Sequence, residues 1–283
     1  MAGANQRGVP ELPETETIAR DLNAAISGSS ITDVRVKRSD VLREVTAVQL
    51  RRRIVGAAIT RAWRRAKLVV LDLSSGDRVV VQPRFTGALL IDSGELPPEE
   101  RRYSTVEFML GESRSLHYRD IRRLGTVSVM NEPRFARYAD ALGVEPLDDG
   151  FTIERLSDIL QASRQPVKRV LMDQRRLVGV GNIYANEVLW HAGIDPSRPA
   201  ATISTVEAAR LHHVIRDVLT AAVAARGTSF RDYRDASGER GSFAEHLQAY
   251  GREGQPCRGC GRRLVVTHEI DGRSTVFCYA CQR

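Results

Sequence analysis

The stretch PELPE, residues 10–14, precedes a run of apolar residues at helical spacing, made up of Ile18, Leu22 and Ile26. This spacing predicts a helix over about residues 14–27. Pro13 suits the first turn of such a helix, because its φ is fixed near the helical value and the amide it lacks would have no partner there. Helix entry therefore explains Pro13, but it gives no structural reason for Pro10.

Pro10 is a candidate nucleophile, and simple helix entry is the competing interpretation. A proline nitrogen can attack a sugar aldehyde or its C1′ carbon only when it carries no acyl group, since a tertiary amide has no usable lone pair. An α-amino group titrates at about 7.7–8.0, against about 10.4 for lysine, so a free terminal amine is nucleophilic at neutral pH. Glu11, the next residue, lies within reach to move protons.

Nine residues, MAGANQRGV, stand before Pro10 in this sequence. We expect residues 1–9 to be an extension or a misassigned start. Bacterial genes can initiate at a valine codon read as methionine, so initiation at Val9 and removal of that methionine would leave Pro10 at the terminus. With the nine residues attached, Pro10 is an amide and its nitrogen cannot act as a nucleophile.

The composition is that of a folded, basic protein with room for two domains. Of 283 residues 42% are hydrophobic, and 42 lysines and arginines against 35 acidic residues give a net charge of +7. Clustered arginines, as at 51–53 and 122–123, suit phosphates, although such a charge also fits a solvated surface. No apolar run is long enough to span a membrane and residues 1–9 lack a signal-peptide core, so we expect a cytosolic protein.

Residues 10–132 are predicted to form a first domain of antiparallel strands with flanking helices, as a sandwich or a barrel. The segment 40–53 has a more helical pattern, and the sequence SSGD at 74–77 predicts a hairpin turn. The predicted strands are apolar and β-branched runs at 31–36, 67–73, 78–82, 88–91, 105–110 and 126–129. The fold class is therefore α+β.

The periodicity changes after residues 133–150, which are rich in proline, glycine and aspartate and predict a linker. Beyond it the second domain, 151–254, has helical spacing at 153–163, 166–175, 184–192 and 204–226. The polar stretch 228–242 follows. Stretches of that length without regular structure are usually functional or mobile.

All four cysteines lie in the last segment, residues 255–283, as Cys257-x2-Cys260 and Cys278-x2-Cys281. Two such pairs give four thiolates at the spacing of a closed, tetrahedral zinc site, with no open position for catalysis. We expect one structural zinc ion on a β-hairpin. The turn DGR, residues 271–273, lies between the cysteine pairs, where a base or a phosphate could be met.

Four further residues each have a functional and a structural interpretation. Asn182, in the run VGVGN at 178–182, can bind a phosphate at a helix N-terminus, or the run is a packing turn. Lys67 opens an apolar strand, where lysines are usually just solvated. Phe85 and Leu124 lie in arginine-bearing turns, as half-buried core residues or as wedges that fill the space left by an extruded nucleotide.

Together these stretches resemble the formamidopyrimidine-DNA glycosylase family, from Pro10 to the C-terminus and in the same order. PELPETETI resembles the family's catalytic N-terminus, and RRAKLVVLDL the strand that carries its catalytic lysine. RDIRRLG resembles the intercalation loop, LMDQRRLVGVGNIYANEVLWHAGIDP the helix-two-turn-helix, and LQAYGREGQPCRGCG with the second cysteine pair the zinc finger. PELPE, GNIYANE and QAYGREG favour the oxidised-purine branch over the endonuclease VIII branch.

The resemblance implies a role for each candidate. Pro10 would be the Schiff-base nucleophile and Glu11 the proton donor. Lys67 would contact phosphate and assist β-elimination. The other implied contacts are those of Asn182 with phosphate, of Arg122 inside the duplex opposite the lesion, and of Arg273 with the phosphates flanking the site, where it would assist δ-elimination. Residues 228–242 match the loop that closes over the damaged base.

Three positions near the expected DNA surface depart from the family pattern. Phe85, in Gln82-Pro83-Arg84-Phe85, stands where the family usually has the methionine of a His-Leu-Gly-Met turn. Leu124 stands where phenylalanine is usual, and Tyr103 stands near a usual histidine. These departures bear on lesion preference more than on the DNA-binding frame.

The resemblance implies a glycosylase and AP lyase that acts on 8-oxoguanine and formamidopyrimidines in double-stranded DNA, with β,δ-elimination, in base excision repair. The motifs show no oligomer signature, so we expect a monomer. It needs no cofactor beyond structural zinc. The alternative is a lesion- or AP-site-binding protein of the same fold, without lyase activity because Pro10 is not terminal. A third reading keeps the activity but takes the amine from Lys67 or another lysine, at a cost in rate because of its higher pKa.

Overall fold

A computed structural model describes residues 10–111, 113–229 and 234–283 of the chain. These residues form two compact units. One, the β unit, consists of residues 10–140 and 226–242. The other, the helical unit, consists of residues 141–225 and 243–283. Residues 1–9, on which the expectation of an extension falls, lie outside the described residues.

Helix α1, Leu12–Ile26, opens the β unit and starts two residues before the predicted helix. Pro13 lies in its first turn, as its fixed φ allows. The apolar stripe of the sequence is fully buried: Ile18, Leu22 and Ile26 are each 0% exposed. Burial of this face, rather than helix propensity, holds α1 on the sheets. Each large apolar side chain that is buried contributes roughly 2 kcal/mol to the free energy of folding.

Two four-stranded antiparallel sheets form the rest of the β unit, in the orders β1-β6-β7-β5 and β2-β3-β4-β8. Their inner faces share one hydrophobic core with α1, which confirms the predicted sandwich. The strands are β1 (Ile31–Val36), β2 (Ile59–Arg65), β3 (Leu68–Leu73), β4 (Asp77–Gln82), β5 (Gly87–Asp92), β6 (Ser104–Leu110), β7 (Arg114–Asp120) and β8 (Thr126–Asn131).

Three short helices flank the sandwich: α2 (Ala47–Ile54), α3 (Pro98–Arg101) and α4 (Glu132–Asp140). Helix α4 occupies the start of the stretch expected to be a linker. It is anchored by Phe135, whose ring lies 5.6 Å from that of Trp63 in an edge-on contact and 4.7 Å below the guanidinium of Arg78. The helix therefore packs within the β unit.

The helical unit contains the four predicted helices, as α5 (Ile153–Gln161), α6 (Val167–Met172), α7 (Asn182–Ala192) and α8 (Thr205–Ala224). Ser204 caps α8 by accepting a hydrogen bond from the Glu207 amide at 3.3 Å. Gly193, at φ +65°, ends α7 in the left-handed conformation that glycine adopts without strain.

A short antiparallel hairpin of β9 (Val265–Thr267) and β10 (Thr275–Phe277) completes this unit. It lies between the two cysteine pairs, as the sequence predicts. In the described part of the chain, no helix combines the length and the apolar character needed to cross a membrane.

Candidate functional site

Pro10 and Glu11 are buried immediately before α1, in the β unit. The Glu11 amide donates to Glu14 Oε2 at 2.9 Å, and the other oxygen of Glu14 accepts from the Thr228 amide at 2.7 Å. Gly227, at φ +83°, is required at this contact, because a Cβ there would lie 2.8 Å from Glu14 Oε1. Glu14, 1% exposed, thus ties the residues around Pro10 to the start of the 228–242 stretch.

The described parts of the stretch 228–242 are packed in the β unit. Thr228 and Ser242 pair as an isolated bridge, which brings the two ends of the stretch together. Asp235, 0% exposed, accepts from Arg226 at 2.5 Å, and the Ile91 amide donates to Ala236 at 3.1 Å. The predicted lesion loop also includes residues 230–233, which lie outside the described residues.

Lys67 lies in the two-residue turn between β2 and β3 and is half-buried. The residue before it, Ala66, has φ +54°, an uncommon conformation for a residue other than glycine. Arg64 fixes this turn from both sides, donating to the Ala66 carbonyl at 3.0 Å and to Glu16 of α1 at 2.8 Å. The turn that carries Lys67 is therefore held in a strained conformation next to α1.

Phe85 and Arg122, predicted from two separate turns, contact each other. The guanidinium of Arg122 lies 4.6 Å from the centre of the Phe85 ring, and the Arg122 amide donates to Thr86 Oγ1 at 2.9 Å. Phe85 has φ +49° and the neighbouring Arg123 has φ +54°. Leu124, in the same turn as Arg122, leaves 39% of its surface exposed. The two turns thus form one exposed, apolar and cationic edge.

Asp120, which sequence reasoning missed, holds these two turns together. Its carboxylate is 1% exposed and accepts from Thr86 Oγ1 at 2.6 Å, from the Arg122 amide at 3.2 Å and from the Gly125 amide at 2.9 Å. The Tyr118 hydroxyl also donates to it, at 3.2 Å. Burial and this carboxylate both raise the pKa of Tyr118, so it stays a neutral donor. An aspartate just before a basic turn is the available sequence signal.

A groove of about 900 Å³ lies beside the turn that carries Arg122, and Tyr103 is among its lining residues. The guanidinium of Arg102 stacks on the Tyr103 ring at 4.5 Å. The lining is predominantly cationic and polar: Lys37, Arg38, Arg102, Tyr103, Ser104, Thr105, Asp120, Ile121 and Arg123. Such a surface attracts an anionic partner.

The four cysteines come together in the helical unit, with their sulfur atoms all within 4.8 Å of one another. Four sulfur donors in this arrangement can hold a metal ion, and soft thiolates favour zinc over hard cations such as Mg²⁺. Burial opposes ionisation of Cys257, yet a hydrogen bond from the Gly259 amide and the nearby indole of Trp190 help to lower its thiol pKa to about 7. Hydrogen bonding to Cys260 and burial instead raise the pKa of Cys281 to about 12. These pKa shifts favour a thiolate at Cys257 and oppose one at Cys281.

Asn182 and Arg273 both adjoin Ser274, Asn182 through a hydrogen bond and Arg273 as the preceding residue in the chain. The Asn182 side-chain amide donates to the Ser274 carbonyl at 3.1 Å. Arg273 is exposed on the β9–β10 turn, where its amide donates to Asp271 Oδ1 at 3.0 Å. The predicted phosphate ligand at the start of α7 is therefore attached to the turn that carries the predicted arginine.

Lys168 is a second residue that sequence reasoning missed. It is 0% exposed on α6, and its Nζ donates to Thr275 Oγ1 at 2.7 Å and to the Ser274 carbonyl at 3.3 Å. A fully buried lysine is rare unless it is paired, and here it fixes the turn that holds Arg273. Within the apolar run VKRVLM nothing distinguishes this lysine from a solvated one.

The predicted residues thus fall into two groups. The β unit holds Pro10, Glu11, Lys67, Phe85, Tyr103, Arg122 and Leu124, and the helical unit holds Asn182, Arg273, Cys257, Cys260, Cys278 and Cys281.

Comparison with known proteins gives matches along both units. The family model for the N-terminal domain of formamidopyrimidine-DNA glycosylase matches residues 9–127, and the model for the H2TH domain of the same enzymes matches residues 142–234. Formamidopyrimidine-DNA glycosylase of Carboxydothermus hydrogenoformans is 40% identical over 97% of this chain and 100% of its own length. That of Pelotomaculum thermopropionicum is 38% identical over 97% of this chain and 99% of its own.

Solved structures match over the same span. The MutM (Fpg) protein of Thermus thermophilus aligns with a TM-score of 0.85 at 35% identity, over 96% of this chain and 98% of that one. The Lactococcus lactis Fpg in complex with DNA containing an abasic site aligns with a TM-score of 0.89 at 28% identity, over 96% and 99%. On sequence and structure together, this chain belongs to the formamidopyrimidine-DNA glycosylase family.

Proposed function

We propose that this protein excises oxidised purines, 8-oxoguanine and formamidopyrimidines, from double-stranded DNA and then cleaves the strand at the abasic site, as a step of base excision repair. The observation that carries the proposal is the contact of Phe85 with Arg122, in two turns that Asp120 holds together beside a cationic groove. An enzyme that acts on a base must extrude it from the stack, and an exposed apolar and cationic wedge occupies the space that is left.

The proposed chemistry starts at the amine of Pro10. Its nitrogen lone pair forms a bond to C1′ of the extruded nucleotide while the bond from C1′ to the base breaks, and the base leaves with a proton from Glu11. The nitrogen loses its proton and its lone pair then expels O4′, which takes up a proton as the C1′–O4′ bond breaks and the sugar ring opens. The iminium that forms at C1′ acidifies the C2′ proton. Loss of that proton breaks the C3′–O bond, and loss of the C4′ proton then breaks the C5′–O bond, so that both phosphates leave.

Supporting residues would act on the phosphates. Lys67 would contact the backbone and assist proton transfer in the first elimination. Arg273, with Asn182 attached to the same turn, would hold the flanking phosphates and assist the second. Tyr103 in the groove and Leu124 on the wedge would complete the DNA contacts, since arginine forks and cationic grooves suit phosphate.

The proposed partner is DNA with oxidised bases or abasic sites, bound by a monomer in the cytosol. A mutant of Lactococcus lactis Fpg has been solved with DNA containing Fapy-dG, and Lactococcus lactis Fpg with DNA containing an abasic site, which supports such a substrate here. The cysteine cluster would hold one structural zinc ion, whose bonds to four sulfurs would fix the β9–β10 hairpin.

A free amine on Pro10 requires a chain that begins there. The family model begins its match at residue 9, directly before Pro10, which favours initiation at Val9 followed by removal of methionine. If residues 1–9 remain attached, the protein is instead a lesion binder of the same fold, or takes its amine from Lys67.

The test compares the full chain with a form that begins at Pro10, on a duplex containing 8-oxoguanine and in the presence of borohydride. We expect the form that begins at Pro10 to cleave the strand and to be trapped on DNA, with the adduct on the N-terminal peptide by mass spectrometry. The full chain should bind the duplex without being trapped.

Equal trapping of both forms would refute Pro10 as the nucleophile. Lys67→Ala in both forms would then separate a lysine amine from any other: loss of trapping would assign the amine to Lys67. Binding without trapping by either form would leave the lesion-binding function.

A further inference from the structure

Helix α7 contacts the cysteine-bearing hairpin through one face. Asn182, Asn186 and Trp190 are each four residues apart, so they lie above one another on the helix. The Asn182 side chain donates to the Ser274 carbonyl at 3.1 Å, and Asn186 Oδ1 accepts from the Val276 amide at 2.6 Å. The third member of the face, Trp190, packs against the cysteine cluster itself.

The indole nitrogen of Trp190 is buried beside the Cys257 sulfur, but among the described residues no acceptor lies at hydrogen-bond geometry to it. The indole ring and two cysteine sulfurs border the same small space. A Cβ on Gly259 would lie 3.6 Å from Cys281 Sγ, 3.7 Å from Cys257 Sγ and 3.7 Å from Cζ2 of Trp190. A buried donor without an acceptor is uncommon in native structures, so its surroundings need an explanation.

The sulfur of Cys257 can accept the hydrogen bond of the Trp190 indole when this sulfur carries a negative charge. A thiol is a weak hydrogen-bond acceptor, whereas a thiolate accepts charge-assisted hydrogen bonds. Metal binding requires the thiolate, since the coordinating cysteine loses its proton. The acceptor for Trp190 would therefore be created by the ion.

We propose that Trp190 is a positioning residue of the metal centre, whose indole N–H donates to the Cys257 thiolate once a metal ion is bound. Groups of this kind orient metal ligands and tune their basicity. The inference rests on the proposed metal site but not on glycosylase or lyase activity. The hydrogen bond from Trp190 would make α7 sensitive to whether the four cysteines hold a metal ion. This helix begins at Asn182, the predicted phosphate ligand.

The competing explanation is that Trp190 is only a packing ring. Its edge-on contact with His191, at 4.9 Å between ring centres, and its place against Cys257, Leu264, Val276 and Cys278 would then be the whole of its role. A packing ring needs no change at its nitrogen when metal binds. The state of the indole proton therefore separates the two explanations.

The chain offers a matched control, because it has two tryptophans. Trp63, on β2 in the β unit, also has a buried indole nitrogen without a partner among the described residues. It contacts Phe135 rather than any cysteine. Trp63→Phe removes one indole signal from the spectrum and so assigns the other to Trp190.

The first experiment records the ¹⁵N-indole NMR signals of the full chain without metal and after loading with ¹¹³Cd²⁺ alone. We expect the Trp190 proton to move downfield and to show scalar coupling to ¹¹³Cd through the sulfur, while the Trp63 proton does not move. An unmoved and uncoupled Trp190 proton in protein that binds one equivalent of Cd²⁺ would overturn the inference. Failure to bind Cd²⁺ at all would overturn the metal site as well.

The second experiment compares Trp190→Phe with Trp63→Phe and the parent chain. Loss of the hydrogen bond should move the sulfur-to-cobalt charge-transfer band of the Co²⁺ form to lower energy and weaken Zn²⁺ binding by about 10- to 100-fold. Trp63→Phe should match the parent in both measurements. A Trp190→Phe variant with the parent's cobalt band would show that the ring only packs.

Discussion

Phe85, Arg123 and Ala66 share a feature that the residue types alone do not suggest: each has a positive φ. For a residue with a side chain this conformation costs of order 1–3 kcal/mol and persists only when its surroundings impose it. Here the surroundings are visible, since Arg64 holds Ala66 and the Thr86–Asp120 pair holds the turns of Phe85 and Arg123. Of the five non-glycine residues with a positive φ in the described part of the chain, these three lie in turns that the sequence marked as functional, at or next to Lys67, Phe85 or Arg122.

The contact between Phe85 and Arg122 gives the first prediction. Phe85→Ala should weaken binding of a duplex with an abasic-site analogue by about 10-fold, because base-aromatic stacking contributes about 1–3 kcal/mol. Arg122→Ala should have a similar effect. The double variant should lose less than the sum, with a coupling of about 0.5–1 kcal/mol from the cation–π contact, measured by fluorescence anisotropy.

The control for that cycle is Phe135→Leu, which disturbs another aromatic ring under an arginine in the same unit. It should leave the DNA affinity of the folded protein unchanged. Strictly additive effects of Phe85→Ala and Arg122→Ala would mean that the contact is not used when DNA binds.

Asp120 carries the second prediction. Asp120→Ala removes the acceptor of four donors and should lower the free energy of unfolding by about 3 kcal/mol, because buried donors are left unpaired. It should also abolish specific binding to lesion DNA at temperatures where the protein is folded. Asp120→Asn, which keeps one acceptor oxygen, should be intermediate. Urea unfolding and anisotropy titrations measure the two effects.

Asp92→Ala is the matched control, since Asp92 is also buried and accepts from the amides of Gly94 and Leu96. It should destabilise the β unit without loss of lesion binding. If both aspartate variants lost binding equally, Asp120 would have no specific role in holding the two turns.

At the scale of elements, the sequence predicted the apolar strands well and the polar ones poorly. β1 was predicted at its observed bounds, and the β3–β4 hairpin turns at Gly76, at φ +83°, as the SSGD motif requires. β2 was missed because three of its seven residues are arginine. β7 was missed because the residues on its face away from the hydrophobic core are polar. One of them, His117, is nevertheless buried, and its ring nitrogens form hydrogen bonds of 2.8 Å with Ser104 and with Ser115. Such pairings depend on neighbouring strands and leave no local periodicity.

The start of α8 gives the third prediction. Glu207 accepts hydrogen bonds from Arg198 at 2.6 Å and from the Ser204 amide at 2.9 Å. These bonds lower the pKa of Glu207 to about 2, and the bond from Arg198 has the larger effect. A carboxyl whose pKa is depressed by folding stabilises above its ordinary pKa, near 4.5, and the contribution is lost as the pH falls toward about 2. Glu207→Gln should therefore cost about 1 kcal/mol at pH 7, since the pair is partly exposed.

The difference in unfolding free energy between the parent and Glu207→Gln should shrink as the pH is lowered from 4.5 to 2. Calorimetry of both proteins over this range measures it. Glu253→Gln, an exposed glutamate of the same unit, is the control and should show no such difference. A difference that stayed constant with pH would mean that the charge of Glu207 is irrelevant to α8.

At the scale of the whole molecule, the sequence predicted the parts of the candidate site that are local and missed those that depend on tertiary contact. The cysteine spacing predicted the four-sulfur cluster, because ligand geometry restricts such spacings. Asp120, Lys168 and Trp190 were missed, because each acts on a segment far away in the chain and none stands in a distinctive motif. The pairing of Phe85 with Arg122 likewise exists only once the two sheets have formed.

Metal removal is the prediction that belongs to this scale. All four cysteines lie in the helical unit, where the hairpin is joined to α7 by the Asn186–Val276 hydrogen bond. At free Zn²⁺ about 1,000-fold above its dissociation constant, a bound ion adds about 4 kcal/mol to the free energy of unfolding. A chelator should therefore lower the melting temperature of the helical unit and leave that of the β unit unchanged.

Calorimetry and hydrogen exchange can follow the two units separately. With chelator, exchange should rise in residues 254–283 and at the Trp190 end of α7 but not in β3 and β4, and added Zn²⁺ should restore protection. Cys260→Ser, at the exposed cysteine of the cluster, should reproduce the effect without chelator. An equal shift of both units would mean that the ion stabilises more than its own unit, and no shift in either would mean that the four cysteines fold the hairpin without a metal.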